Sequence, residues 1–187
     1  MLGAALLVFG LAVVTPAHAF EAANVIQSTG TIEYALTPGD DAAGLVVRTI
    51  DAAKSQVLVQ AFSFTHRDIA DALIRAHRRG LEVQVIADRE QTDAMESDAM
   101  RSMLKAGLPV FTDGQHSAAH NKVIVIDHNQ PEPVLITGSF NFTFAAQYRN
   151  AENVIVFHRN PDLAQAFYAN WRQHREHAIV RAGGLPE

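Results

Sequence analysis

The sequence predicts an α/β fold, a mixed β-sheet sandwiched between helices. Three observations carry that prediction. Through the first half of the chain, strand-like apolar runs alternate with segments of helical periodicity. Four short strand-like runs then follow one another with no helix between them, and a last amphipathic segment closes the chain. Alternation of this kind places helices on the faces of a sheet, and the strand cluster makes that sheet mixed. Strand order does not follow from the pattern.

Each element has its own justification. "LGAALLVFGLAVV" is an apolar run of the length of a signal-peptide core, and Ala17 and Ala19 supply small residues two apart before Phe20. Residues 1–19 are therefore expected to be a secretory signal, leaving a single domain over 20–187 in the periplasm or outside the cell. The alternative is an uncleaved segment that anchors the protein to a membrane. "TIEYAL" is a short strand. "DDAAGLVVRTIDAAKS" is a helix capped by Asp40 or Asp41, with Leu45, Val46, Thr49 and Ile50 along one side. "QVLVQAFSF" has the continuous apolar character of a buried strand. "HRDIADALIRAHRRG" is an amphipathic helix that Gly80 stops. In "LEVQVIAD" Val83, Val85 and Ala87 alternate with their neighbours as in a strand, and "TDAMESDAMRSMLKAG" is one further helix. The cluster "PVFT", "KVIVID", "PVLITGS" and "AENVIVF" follows. "NPDLAQAFYANWRQHREH" is the closing helix, with Asn160 as its cap and Pro161 at its first position. Trp171, Phe167 and Tyr168 at helical spacing belong to the core. His174 and His177 on the same helix are expected to face solvent, and His128 and His158 to sit at strand ends.

The chain has 187 residues, 48% of them hydrophobic and 19% charged, which suits one globular domain with a full core. The net charge of -5 does not advertise a polyanion partner. A nucleic-acid enzyme with this balance needs its basic groups gathered on one face, for which Arg67, Arg75, Arg78, Arg79 and Arg89 are candidates. The absence of cysteine excludes disulfides, thiolate metal sites and cysteine nucleophiles. His116 and His120 have the spacing of zinc ligands on a helix, but Gly114 and the strand that follows argue against a helix there. No metal and no cofactor are expected.

The chemistry concentrates between His120 and Glu152. Residues two apart on a strand share a face, so His120 and Lys122 point together. A buried ammonium there requires an anion. Ser139 and Asn141 form a second same-face pair, after Gly138, whose missing side chain lets a ligand approach the backbone. An imidazole, an ammonium, a hydroxyl and a carboxamide suit a phosphate: lysine gives charge, Ser and Asn give hydrogen bonds, and histidine is left for chemistry. Asp127, seven residues from His120, falls on the opposite face and is expected to hold the strand-end loop or bond backbone amides. Glu152 opens the next strand and is placed to fix an imidazole tautomer.

His120-Asn121-Lys122, four residues and Asp127 match the HxKxxxxD signature of the phospholipase D superfamily, and "GSFNF" is similar to its Gly-Ser-x-Asn element. The segment "VLVQAFSFTHRDIADALIRAHRRGLEVQVIAD" also resembles that family, and the likeness runs from about Thr31 to His177. It implies a phospholipase D-like α/β/α sandwich and a catalytic set of His120, Lys122, Asp127 and Glu152, with Lys122, Ser139 and Asn141 on the substrate phosphate. Most members carry the motif twice; this chain carries it once and so resembles the single-motif branch of bacterial Nuc-type endonucleases and mitochondrial phospholipase-D-like proteins. That branch implies a homodimer that completes one site, a phosphohistidine intermediate, and no metal requirement. The substrate expected first is DNA or RNA cut without sequence preference. The alternative is membrane phospholipid, although no amphipathic basic helix is visible. A silent phosphate-binding module would have no chemical need for His120.

Overall fold

In the computed structural model, residues 22–95 and 97–181 are described; the segment expected to be a signal lies outside them. Among these residues eight strands form one sheet. In chain order the elements are β1 (Thr31–Thr37), α1 (Ala42–Asp51), β2 (Gln56–Ala61), α2 (Arg67–Arg78), β3 (Glu82–Asp88), α3 (Arg89–Ala94) and α4 (Asp98–Lys105). They continue with β4 (Val110–Asp113), β5 (Lys122–Ile126), β6 (Val134–Gly138), α5 (Phe144–Tyr148), β7 (Glu152–His158), α6 (Pro161–His177) and β8 (Ile179–Val180). The strands lie in the order β1-β7-β6-β5-β2-β3-β4-β8. Pairing is parallel from β2 through β3 to β4 and antiparallel elsewhere, so the expected mixed sheet is present.

The two faces of the sheet bury different halves of each strand's alternation. Val57, Val59 and Ala61 of β2, with Ile124 and Ile126 of β5, pack under α1, α2 and α4. Leu58, Val123, Val125 and Leu135 pack on the other face around Trp171 of α6, with Phe167 and Tyr168 half-buried beside it. The Trp171 indole N–H donates to the Val59 carbonyl at 3.1 Å, which fixes α6 across the sheet. Asp41 caps α1 by accepting from the Gly44 amide, and the Asn160 side chain caps α6 by accepting from Leu163.

Three features depart from the sequence reading. The helix expected over "TDAMESDAMRSMLKAG" is two helices. Ser97 leaves helical geometry, caps α4 by accepting from the Met100 amide, and donates its own hydroxyl to the Phe64 carbonyl. α3 starts earlier than expected, where Asp88 caps it through the Gln91 amide. The short α5 and the two-residue β8 were not anticipated. What matters for function is polarity. The ends of β2, β3, β4 and β6 and the starts of the antiparallel β5 and β7 all lie along one rim of the sheet.

Candidate active site

His120 lies on that rim, two residues before Lys122 opens β5. The expected pairing is present: the Lys122 Nζ sits 2.9 Å from the His120 Nδ1 and donates to the His120 carbonyl at 2.8 Å. While Lys122 is an ammonium, Nδ1 must accept, so the neutral imidazole carries its proton on Nε2. The His120 ring is exposed whereas Lys122 is only 7% exposed. Burial pulls the Lys122 ammonium from its ordinary 10.5 down to about 8, and the Glu152 carboxylate offsets part of that effect.

Phe62, just past β2, shapes this pair and was not singled out by sequence. Its ring packs on the His120 ring with centroids 4.4 Å apart, and Lys122 Nζ lies 4.9 Å from its centroid. Its amide donates to the Asn121 carbonyl at 2.9 Å, extending the β2–β5 ladder to the rim. The signal was available, since "QVLVQAFSF" continues its alternation through Phe62.

Ser139 and Asn141 follow β6 onto the same rim. The Ser139 hydroxyl accepts from the Asn153 amide at 3.0 Å and from its side chain at 3.3 Å, which leaves the hydroxyl proton to donate. The Asn141 side-chain oxygen is buried with no hydrogen-bond partner. Gly138 has a different purpose from the one expected. It holds φ 145°, and a Cβ there would come within 2.2 Å of the Asn153 carbonyl oxygen. The neighbouring strand, rather than a ligand, requires this glycine. The same carbonyl accepts from the Ser139 and Phe140 amides, which orients the turn into Asn141.

The two carboxylates of the expected catalytic set behave differently from one another. Asp127 is at the far end of β5. Its carboxylate accepts from the amides of Lys54, Ser55 and Gln56 and from the Ser55 hydroxyl, each at 2.8 Å. Burial acts to raise its pKa, but these four donors outweigh it and hold the carboxyl below its ordinary range. Asp127 is thus a positioning residue that ties the loop before β2 to the end of β5. These bonds hold it at the opposite end of β5 from His120, where the sequence reading had set it apart by face rather than by distance along the strand. Glu152 opens β7 on the rim, accepting from the Asn150 side chain at 3.1 Å. No hydrogen bond joins it to His120, whose Nδ1 meets Lys122 instead; its action is on the Lys122 charge.

Other expectations are corrected by their surroundings. The arginines proposed for a basic face are largely engaged on the helix layer: Arg67 pairs with Asp98, while Arg75 and Arg79 pair with Asp51. Of that group only Arg89 stands on the rim, its guanidinium lying over Gly114. His174 and His177 do not face open solvent but turn onto the buried Asp113. His128 stacks on Tyr168 with centroids 3.5 Å apart. A cleft of about 560 Å³ lies at the opposite end of the sheet, with the ion pairs Arg48–Glu33 and Lys54–Glu132 among its lining residues.

Comparison with known proteins agrees with this geometry. The family described as "Cardiolipin synthase, PLD-like domain" matches residues 46–175. A phospholipase D of Rickettsia conorii is 35% identical over 144 residues, covering 77% of this chain and 69% of that protein. A mitochondrial cardiolipin hydrolase of Chlamydomonas reinhardtii is 32% identical over 140 residues, covering 72% of this chain and 57% of that one. Among solved structures, the phospholipase D family member Nuc from Salmonella typhimurium superposes with a TM-score of 0.76. It is 33% identical and covers 81% of this chain and 98% of its own. NucT from Helicobacter pylori, 22% identical, shares the fold with a TM-score of 0.72 over 81% of this chain and 99% of its own. With one histidine–lysine motif on the rim of such a sheet, the chain belongs to the phospholipase D superfamily and is a phosphodiester hydrolase of its single-motif kind.

Proposed function

We propose that two copies of the chain build one metal-independent phosphodiesterase site, and that its substrate is a DNA or RNA strand. The observation that carries the pairing is a site with one histidine where the chemistry needs two. In the first step Nε2 of one His120 attacks phosphorus; an N–P bond forms, a P–O bond breaks, and the leaving oxygen takes a proton from the partner subunit's His120. Water then attacks phosphorus, gives its proton to that second imidazole, and the N–P bond breaks.

The resting hydrogen bond, with Lys122 donating to Nδ1, belongs to a neutral ring. The copy that acts as the acid carries a proton on both nitrogens, and giving the Nε2 proton to the leaving oxygen returns it to a neutral ring whose free Nε2 can take the proton of the attacking water. For the attacking copy the substrate phosphate draws Lys122 off the ring, and Nδ1 then takes the proton that Nε2 must lose. The two imidazoles are equivalent until a phosphate distinguishes them, so their titration belongs to the pair. A lysine from each copy neutralises the phosphate, which is why the chemistry does not call for a metal there.

An exposed apolar surface adjoining the rim gives the second copy a place to dock. Ile32, Tyr34 and Leu36 stand 53%, 66% and 52% exposed along β1, and Phe144 and Tyr148 of α5 stand 55% and 58% exposed. Apolar surface of this extent supports an interface. For the substrate, the open rim carries Arg89 and Arg149 at its two sides, neither in an ion pair among the described residues. This suits phosphates flanking a scissile one along a strand. The second reading, hydrolysis of a membrane phospholipid, is favoured by the names of the phospholipase D and cardiolipin hydrolase relatives. Export by the N-terminal segment belongs to either reading; among the described residues no helix is long and apolar enough to cross a membrane.

Supercoiled plasmid incubated with the protein in excess EDTA tests the proposal, beside a His120→Ala variant shown by circular dichroism to be folded. Nicking by the parent alone is expected. Nicking by the variant would refute the covalent role of His120. No nicking, together with headgroup release from phospholipid vesicles, would move the substrate to lipid.

A further inference from the structure

A second cluster of chemistry-bearing side chains lies outside the phosphate site. Asp113 ends β4 with its side chain wholly inaccessible, and the last turn of α6 presents His174 and His177 to it. The Asp113 Oδ2 is 2.6 Å from the His174 Nδ1 and 3.1 Å from the His177 Nε2. That Nε2 is buried and makes no well-directed hydrogen bond. His116, from the loop between β4 and β5, closes the group, with its ring centroid 5.0 Å from that of His174 and 5.5 Å from that of His177. One donor atom from each of the four residues lies within 4.8 Å of all the others.

We propose that Asp113, His116, His174 and His177 form a binding site for a divalent transition metal, zinc by preference. Three imidazoles and one carboxylate are a borderline-soft nitrogen and oxygen set, suited to zinc and its neighbours rather than to magnesium or calcium. Around zinc at about 2.0–2.1 Å, tetrahedral ligand atoms are about 3.4 Å apart. The widest separation, up to 4.8 Å, therefore needs to close by about 1.4 Å, and the Asp113–His174 contact of 2.6 Å to open by about 0.8 Å. His116 is the member free to make that move, being exposed and on a loop. The other carboxylate oxygen of Asp113 accepts from the Gln115 amide at 3.0 Å, which orients the acid toward the histidines as outer-shell bonds do in metal sites.

Four protein ligands leave no open position, so the site is structural. Its consequence is mechanical. The metal would join the end of β4, the end of α6 and the loop that carries His120, with the staple four residues before the nucleophile. It is independent of the phosphate chemistry and of the substrate that the rim takes.

The test uses the full chain without a polyhistidine tag, stripped with chelator and dialysed. Zinc titrated by calorimetry is expected to bind at one ion per chain, and cobalt to give the visible absorption of a tetrahedral nitrogen and oxygen site. His116→Ala, a loop substitution that leaves the core intact, is expected to weaken zinc at least ~10-fold. His174→Ala is expected to weaken it at least as much. His120→Ala should bind as the parent does, and zinc should raise the melting temperature of the parent and of His120→Ala but not of His174→Ala. Absence of saturable binding by folded, stripped protein would overturn the proposal. So would binding indifferent to both His116→Ala and His174→Ala, or binding lost in His120→Ala.

Discussion

Replacing Lys122 by methionine should stabilise the protein while destroying its activity. Lys122 is 7% exposed, and burial brings its pKa from 10.5 to about 8. At about 1.4 kcal/mol for each tenfold change, holding the charge in the folded chain at pH 7 costs roughly 3 kcal/mol. Water entry and relaxation around the vacated volume reduce what methionine recovers to about 1–2 kcal/mol. For a domain of this size that corresponds to a rise of about 3–6 °C in melting temperature. The pH dependence separates this effect from better packing. Because the folded pKa lies below the unfolded one, the folded state binds fewer protons than the unfolded state between about pH 8 and 10.5. The parent therefore gains stability as pH rises through that window. Methionine does not titrate, so the gap between the two proteins should be full at pH 7 and close by about pH 10.5. Paired thermal or urea unfolding at several pH values measures it. A variant no more stable than the parent at pH 7, or a gap that does not change with pH, would refute the reasoning. In the proposed shared site the same group governs turnover: with a Lys122 from each copy required on the phosphate, kcat/KM of the parent should fall by up to about a hundredfold per pH unit above 8.

Two further outcomes follow from other residues. Asp127→Ala should cost about 3 kcal/mol, since it strands the buried amide of Gln56 and the part-buried amides of Lys54 and Ser55, as urea unfolding at pH 7 would show. Because the folded pKa of Asp127 is lowered, its contribution is present above about pH 4 and lost as pH falls through the folded value, so the deficit should shrink in acid. Leu36→Glu with Tyr34→Glu, on the exposed face of β1, should convert a dimer to folded monomers in sedimentation and remove turnover without touching His120.

The fold was legible because its signals are local. Period-2 and period-3.6 patterning placed each principal strand and helix, and the caps at Asp41 and Asn160 were visible as residue types at the right offsets. The split between α3 and α4 was hidden because Ser97 acts on a distant carbonyl, that of Phe64, as well as on its own helix. In the site, the pairing of His120 with Lys122 was legible from their two-residue spacing, whereas the far placement of Asp127 comes from the length of β5, which separates it from His120, and not from strand parity. Phe62 could have been found by extending the same parity past the end of β2. The role of Gly138 could not, since Asn153 comes from another strand. Nor could the meeting of Asp113 with His174 and His177, which depends on where α6 ends against the sheet.

The position of His120 is set by residues outside its motif. His120 precedes β5, and the Lys122 bonds reach its ring and its own carbonyl, so they orient the side chain without locating the loop. Two aspartates at the ends of adjacent parallel strands do that. Asp88, ending β3, accepts from the Ala119 amide at 2.8 Å, one residue before His120, while its other oxygen caps α3 through Gln91. Asp113, ending β4, accepts from the Gln115 amide at the start of the same loop. Parallel pairing of β3 with β4 aligns Asp88 with Asp113. Both carboxylates are 3% exposed or less, where a hydrogen bond to a charged acceptor is stronger and its loss is not replaced by water. The motif thus supplies the reacting groups, and the C-terminal ends of the parallel half of the sheet hold the loop that presents them. An aromatic wall from β2 completes that support, because Phe62 bonds to the Asn121 backbone and packs on the imidazole in one step.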